Sequence, residues 1–106
     1  MDHVATIAAL KALSQEHRLA AFRALVAAGE GGLAVGELRE IVAVPAATLT
    51  AHLNVLRNAG LVVDRREGRS IRVRADYARM TALLAYLTEN CCAGAEGACE
   101  TPTDCC

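Results

Sequence analysis

All five cysteines of this chain lie within its last sixteen residues, at positions 91, 92, 99, 105 and 106. The preceding ninety residues must therefore fold without disulfide bonds or thiolate ligands. Since 54% of the residues are hydrophobic and only three are aromatic, we expect a core of leucine, valine, isoleucine and alanine. A chain of 106 residues forms one small domain. We predict a folded domain over residues 1–92 and a flexible, cysteine-rich tail over residues 93–106.

The spacing of apolar residues predicts three helices in the first half of the chain. The first covers about residues 3–13, the second is capped by Ser14 and ended by the glycines at 29, 31 and 32, and a short third covers Val35–Val42. The side chains expected to face inward on the second and third helices are Leu19, Phe22, Leu25, Val26, Leu38, Ile41 and Val42.

A fourth helix is predicted from Pro45, which lacks the N–H that a helix start leaves unpaired, to Ala59, before Gly60. One face of this helix carries Leu49, Leu53 and Leu56, and the opposite face is small and polar. A hairpin follows, with strands at 61–66 and 70–74 and glycine in the connection. A last helix, capped by Asp76, is expected to fray near residues 90–92.

Positive charge is concentrated in the second half of the folded region. Residues 39–79 carry eight arginines and four acidic residues, a charge of +4, whereas residues 80–106 carry four acidic residues and no basic one. The order helix, tight turn, helix and arginine-rich hairpin predicts a mainly α-helical winged helix-turn-helix with a small β-hairpin. A helix fits the major groove of double-stranded DNA, and hairpin arginines contact phosphates. The predicted DNA-binding residues are Ala47, Thr48, Thr50, Ala51, His52, Asn54, Arg65, Arg66, Arg69 and Arg72.

The helix-turn-helix segment also resembles a known family. Residues 35–62, which read VGELREIVAVPAATLTAHLNVLRNAGLV, are similar to the signature of the ArsR/SmtB metal-responsive repressors, and residues 13–19, LSQEHRL, also fit. The resemblance covers about residues 5–90. It implies a homodimer, paired through its first and last helices, that binds a palindromic operator and leaves it when an inducer binds. The residues expected in the dimer interface are Val4, Ile7, Met80, Leu83, Leu84 and Leu87.

The resemblance also indicates where a sensor site would lie. One arsenic-sensing pattern of the family has cysteines in the helix before the recognition helix, where this chain has Ala34 and Gly36. The zinc-type pattern needs histidines and carboxylates on the last helix, which offers Asp76 and Glu89 but no histidine. The cysteine tail remains, and some arsenic-responsive members similarly carry two adjacent cysteines at the end of the last helix and a third shortly after.

The predicted inducer site consists of Cys91, Cys92 and Cys99. Three thiolates suffice for trivalent arsenic or antimony, whose lone pair occupies the open side, and soft thiolates disfavour hard cations. Two glycines between Cys92 and Cys99 allow the chain to fold back. Cys105 and Cys106 are secondary candidates, because closing a longer loop costs more entropy.

Several alternatives use the same cysteines. A thiol-redox switch, an all-sulfur cadmium or zinc site, and a thiol metal carrier without a DNA-binding role remain open, as does a methylated arsenical bound by two sulfurs. Whether one chain or both subunits supply the ligands also remains open. Catalysis is not expected, because the chain has no phosphate-binding loop and no catalytic triad pattern. With no signal peptide or membrane span in the sequence, we expect a cytoplasmic protein, where thiols stay reduced.

Overall fold

The computed structural model describes residues 1–93, which form a winged helix-turn-helix domain. The predicted mainly α-helical fold with a hairpin is confirmed, and a third short strand joins the sheet. The helices are α1 (His3–Leu13), α2 (Glu16–Ala28), α3 (Val35–Val42), α4 (Ala46–Asn58) and α5 (Tyr77–Leu87), and the strands are β1 (Leu33–Ala34), β2 (Val62–Glu67) and β3 (Ser70–Ala75).

The junction between α1 and α2 differs from the prediction in its cap. Ser14 has helical dihedral angles and ends α1, with its hydroxyl donating to the Lys11 carbonyl at 2.8 Å. Gln15 is the first extended residue, and its side-chain oxygen accepts a hydrogen bond from the Arg18 N–H at 2.9 Å, so Gln15 caps α2. Ser14 therefore terminates one helix instead of starting the next, because its backbone has not yet left the helical region.

The core lies where α1, α2, α3 and α4 meet the sheet. Leu49, Leu53 and Leu56 are almost completely buried, as predicted from their spacing on α4. Two predicted core positions are wrong, since Leu19 is exposed and Ile41 is 58% exposed. Successive helix residues turn by about 100°, so Leu38 and Val42 share the buried face of α3 while Ile41 lies to one side.

The sheet has the strand order β1-β3-β2, and all of its pairs are antiparallel. Glu67 pairs with Ser70, so the hairpin loop has only two residues, and Gly68 takes the left-handed conformation that such a loop requires. The short strand β1 pairs Leu33 with Val73. Just before it, Gly32 has a φ of 64°, and a Cβ there would collide with the main-chain oxygen of Val73. This glycine therefore allows the chain to cross close to β3.

The helix α5 closes the domain. Its predicted cap is confirmed, because the Asp76 carboxylate accepts from the Arg79 N–H at 3.1 Å. The helix ends at Leu87, slightly before the predicted fraying point, and turns follow up to residue 93. Among residues 1–93, no helix combines the length and apolarity that crossing a membrane requires.

Candidate DNA-binding surface and cysteine site

The outer face of α4 is open to solvent, while its inner face is anchored in the core. Three buried leucines on the inner face fix the rotation of the helix. The exposed positions include the predicted contact residues Ala47, Thr48, Thr50, Ala51 and Asn54. The Thr50 hydroxyl donates to the Ala46 carbonyl at 3.0 Å, and its oxygen can still accept a hydrogen bond. This face has the small, mixed character that allows a helix to approach base edges closely.

The sequence did not reveal a polar connection between α4 and the wing, the hairpin of β2 and β3. The Arg57 guanidinium donates through Nη1 to Asn54 Oδ1 at 2.9 Å and through Nε to Asp64 Oδ1 at 3.0 Å. Its Nη2 also lies 3.0 Å from Asp64 Oδ1. Asn54 and Arg57 are three residues apart on α4, a spacing that a sequence can indicate, but the position of Asp64 depends on how the wing packs.

The arginines of the wing fall into two groups. Arg65, Arg66 and Arg69 are exposed near the tip, as predicted, and Arg65 makes only a loose contact with Glu67 at 3.8 Å. Arg72 instead donates to the carbonyl oxygens of Gly31 and Gly32 at 2.8 and 3.0 Å. Its predicted role in DNA binding stays a prediction, but its guanidinium already stabilises the loop before β1.

His52 lies at the edge of the α4 face and is half-buried. Its ring is tilted against the His17 ring of α2, with 5.9 Å between the centroids. Burial lowers the pKa of His52, and the positive charges of Arg18 and His17 lower this pKa further. His52 therefore favours the neutral form, and its predicted DNA contact stays a prediction.

The outer faces of α1 and α5 carry exposed apolar side chains. Val4 is 78% exposed, Leu84 is 55% exposed, and Ile7 and Leu87 are also accessible. Met80 and Leu84 border an open groove of about 450 Å³ between α2 and α5. Leu83, in contrast, is buried in the core of its own chain.

The first two cysteines lie in the turns after α5, and Cys91 is separated from the end of that helix by three residues. The Cys91 Sγ lies 3.4 Å from the Cys92 Sγ, and both residues are half-buried. The Cys91 N–H donates to the Thr88 carbonyl at 2.9 Å, and both Asn90 and Cys92 have positive φ angles, of 61° and 63°. Left-handed backbone is uncommon in residues other than glycine, and here it occurs at two positions of the turn that carries the cysteine pair.

The remaining predicted ligands cannot be placed, because Cys99, Cys105 and Cys106 lie outside the described residues. Within residues 1–93, no cluster of three or more histidine, cysteine or acidic side chains is arranged to hold a metal ion. A site with three protein ligands would therefore need a residue from beyond this part of the chain or from the partner subunit.

Comparison with known proteins identifies the domain. The family model described as a helix-turn-helix domain matches residues 13–65. No curated protein sequence matches this chain. The transcriptional repressor BigR from Xylella fastidiosa is 34% identical, with 77% of this chain and 82% of that chain covered and a TM-score of 0.61.

Two further solved structures share the fold. The first is the homodimeric winged helix-turn-helix DNA-binding domain of a possible ArsR-family regulator from Mycobacterium bovis, 29% identical, covering 81% of this chain and 80% of that chain, with a TM-score of 0.62. The second is a possible transcriptional regulator for arsenical resistance, 27% identical, covering 74% of this chain and 78% of that chain, with a TM-score of 0.63. This chain therefore belongs to the helix-turn-helix domain family, and it has the fold of the ArsR-family transcriptional regulators, which are DNA-binding proteins and not enzymes.

Proposed function

We propose that this protein is a homodimeric repressor that binds operator DNA and releases it when trivalent arsenic or antimony binds Cys91, Cys92 and Cys99. The observation that carries the proposal is the pair of cysteine sulfurs, 3.4 Å apart, in the turns that follow the last helix of a DNA-binding domain. The exposed apolar faces of α1 and α5 support pairing of two subunits there, and the related domain from Mycobacterium bovis is itself homodimeric.

DNA binding is assigned to α4 and the wing. The outer face of α4 is small and exposed, and three arginines near the wing tip are available for phosphates. In a symmetric dimer, two such helices reach successive major grooves when they are about 34 Å apart. The expected operator is therefore a palindrome with half-sites one helical turn apart.

Inducer binding is assigned to the cysteines. Two sulfurs that bind one ion through bonds of about 2.3 Å, as at zinc, lie at most about 4.6 Å apart. The 3.4 Å separation of the Cys91 and Cys92 sulfurs fits this limit. Cys99 follows Cys92 after six residues, two of them glycine, and supplies the third sulfur. Thiolates favour soft ions, and one structural relative is a possible regulator for arsenical resistance.

The effect on DNA passes through α5. Closing the cysteine site ties the chain beyond residue 92 to the end of this helix, which contacts α2 and carries part of the proposed dimer surface. A shift of α5 changes the relative orientation of the two α4 helices in the dimer. Allosteric couplings of this kind are typically about 1–3 kcal/mol, or 5- to 150-fold in affinity.

Redox sensing is the second candidate, because oxidation acts on the same two cysteine side chains, whose sulfurs lie 3.4 Å apart. In that case oxidation of the cysteine pair would replace arsenic binding as the signal. The DNA-binding surface and the dimer would be the same, so only the inducer distinguishes the two candidates.

The test titrates arsenite against the protein–operator complex with reductant present. We expect release, with loss of the response in Cys91→Ser, Cys92→Ser and Cys99→Ser and an unchanged response in Cys106→Ser, the matched control. X-ray absorption of the loaded protein should count three sulfurs around arsenic. A complex that ignores arsenite but dissociates with peroxide would establish the redox candidate instead.

A further inference from the structure

Arg57 is a bridge between two parts of the proposed DNA-binding surface. Its guanidinium contacts Asn54 on the exposed face of α4 and Asp64 on β2, with donor–acceptor distances of 2.9 and 3.0 Å. The side chains of Arg57 and Asp64 are 27% and 40% exposed, so water screens the pair only in part. The bridge holds the Asn54 side chain in one orientation relative to the wing.

The chemistry of Arg57 determines which end of the Asn54 amide faces outward. A guanidinium has five N–H donors and no acceptor. The Asn54 atom facing it is therefore the carbonyl oxygen, and the Asn54 NH2 group points elsewhere. The positive charge of Arg57 also disfavours any further donor approaching that oxygen. Asn54 consequently offers hydrogen-bond donors to a DNA ligand, and its acceptor is occupied.

This orientation excludes the usual contact of asparagine with adenine. In that contact the amide oxygen accepts from adenine N6 while the amide nitrogen donates to adenine N7. Cytosine presents only a donor in the major groove, whereas guanine presents the acceptors O6 and N7 and thymine presents the acceptor O4. Adenine presents the acceptor N7 beside its N6 donor, and a donor-only asparagine leaves that donor unpaired, so guanine or thymine matches it better.

We infer that Arg57 and Asp64 are positioning residues that hold Asn54 as a donor-only reader, which selects guanine or thymine at one position of each operator half-site. This inference rests on the proposed function, because it assumes that α4 enters the major groove. It goes beyond that function because it assigns a base preference to the Asn54 side chain. It also makes this preference depend on Asp64 in the wing.

The test selects binding sequences from a randomised double-stranded DNA library with the full-length dimer under reducing conditions. Asn54→Ala identifies the position read by Asn54, where the preference should disappear. Asp64→Ala should reduce the preference at the same position by roughly fivefold or more, the lower range for one good base contact. Glu67→Ala is the matched control, because it removes an equal charge from the same strand without touching the bridge, and it should keep the preference.

A double variant separates positioning from a merely structural role. The double variant Asn54→Ala/Asp64→Ala should have the same base preference as Asn54→Ala alone. A structural defect caused by Asp64→Ala would instead weaken binding to all sequences equally. The inference is overturned if the Asn54 position prefers adenine or cytosine, if Asn54→Ala changes no preference, or if Asp64→Ala leaves the preference intact. Failure of the wild-type dimer to select any sequence is a different result, which would overturn the proposed function itself.

Discussion

The Tyr77 hydroxyl donates a hydrogen bond to the main-chain oxygen of Val26 at 2.8 Å and connects the start of α5 to the end of α2. The last carbonyl groups of a helix have no partner within that helix, and Val26 lies in the final turn of α2. Tyr77 supplies the missing donor. This hydrogen bond therefore ties α5, the helix that leads to the cysteines, to α2, the helix that packs against the helix-turn-helix.

Replacing Tyr77 with phenylalanine should lower the free energy of unfolding by about 1 kcal/mol, because the Val26 carbonyl loses its donor. In a domain of this size that corresponds to a fall in Tm of about 4–8 °C, measurable by thermal unfolding. Tyr86→Phe is the matched control, since its hydroxyl makes no hydrogen bond within residues 1–93. Equal falls in both variants would contradict the assigned role of the hydrogen bond.

Arg69 and Arg72 should behave in opposite ways when replaced by alanine. Arg69 is exposed at the wing tip, so Arg69→Ala should leave the stability of the domain nearly unchanged. The variant should bind DNA more weakly, and the slope of log affinity against log salt concentration should decrease by about one. Arg72 donates to two carbonyls before β1, so Arg72→Ala should lower stability by about 1–3 kcal/mol. Urea unfolding and salt-dependent DNA titrations measure the two effects. A normal salt slope in Arg69→Ala would exclude the wing tip from DNA binding.

Much of this fold follows from local patterns in the sequence. The period of Leu49, Leu53 and Leu56 sets the rotation of α4, and Gly60, with a φ of 77°, ends that segment as predicted. The strand β1 was missed because it has only two residues and exists through pairing with β3, about 40 positions later in the chain. Long-range pairing leaves no local signal.

The candidate site likewise contains residues that local patterns predict and contacts that depend on long-range packing. The exposed residues of α4 were predicted because they lie opposite the buried leucines. The bridge from Asn54 through Arg57 to Asp64 was missed, because Asp64 lies seven positions after Arg57 in the chain and on a strand instead of the helix. The different environments of Arg69 and Arg72 likewise depend on which face of the wing meets the loop before β1.

The pair of His52 and His17 should make the domain sensitive to acid. Burial, Arg18 and His17 hold the pKa of His52 in the folded state below its ordinary value of about 6.5. The unfolded chain therefore binds more protons over that interval, and the free energy of unfolding should fall as the pH decreases from above 6.5 through the lower folded pKa. Urea unfolding at a series of pH values measures this fall.

His52→Gln should make that pH profile flatter, because the variant has no proton to gain at this position. His3→Gln is the matched control, since His3 is exposed at the start of α1, away from the pair. If His52→Gln loses as much stability on acidification as the wild-type protein, another group is responsible for the acid sensitivity.

Leu84 and Ile41 allow a direct test of where two subunits pair. Both are apolar and similarly exposed, at 55% and 58%, but Leu84 lies on α5 and Ile41 on α3. Leu84→Glu should raise the dimer dissociation constant on the order of 100-fold or more, because an unpaired carboxylate in an apolar interface costs several kcal/mol. Ile41→Glu should remain dimeric. Analytical ultracentrifugation measures both constants, and a dimeric Leu84→Glu variant would place the interface away from α5.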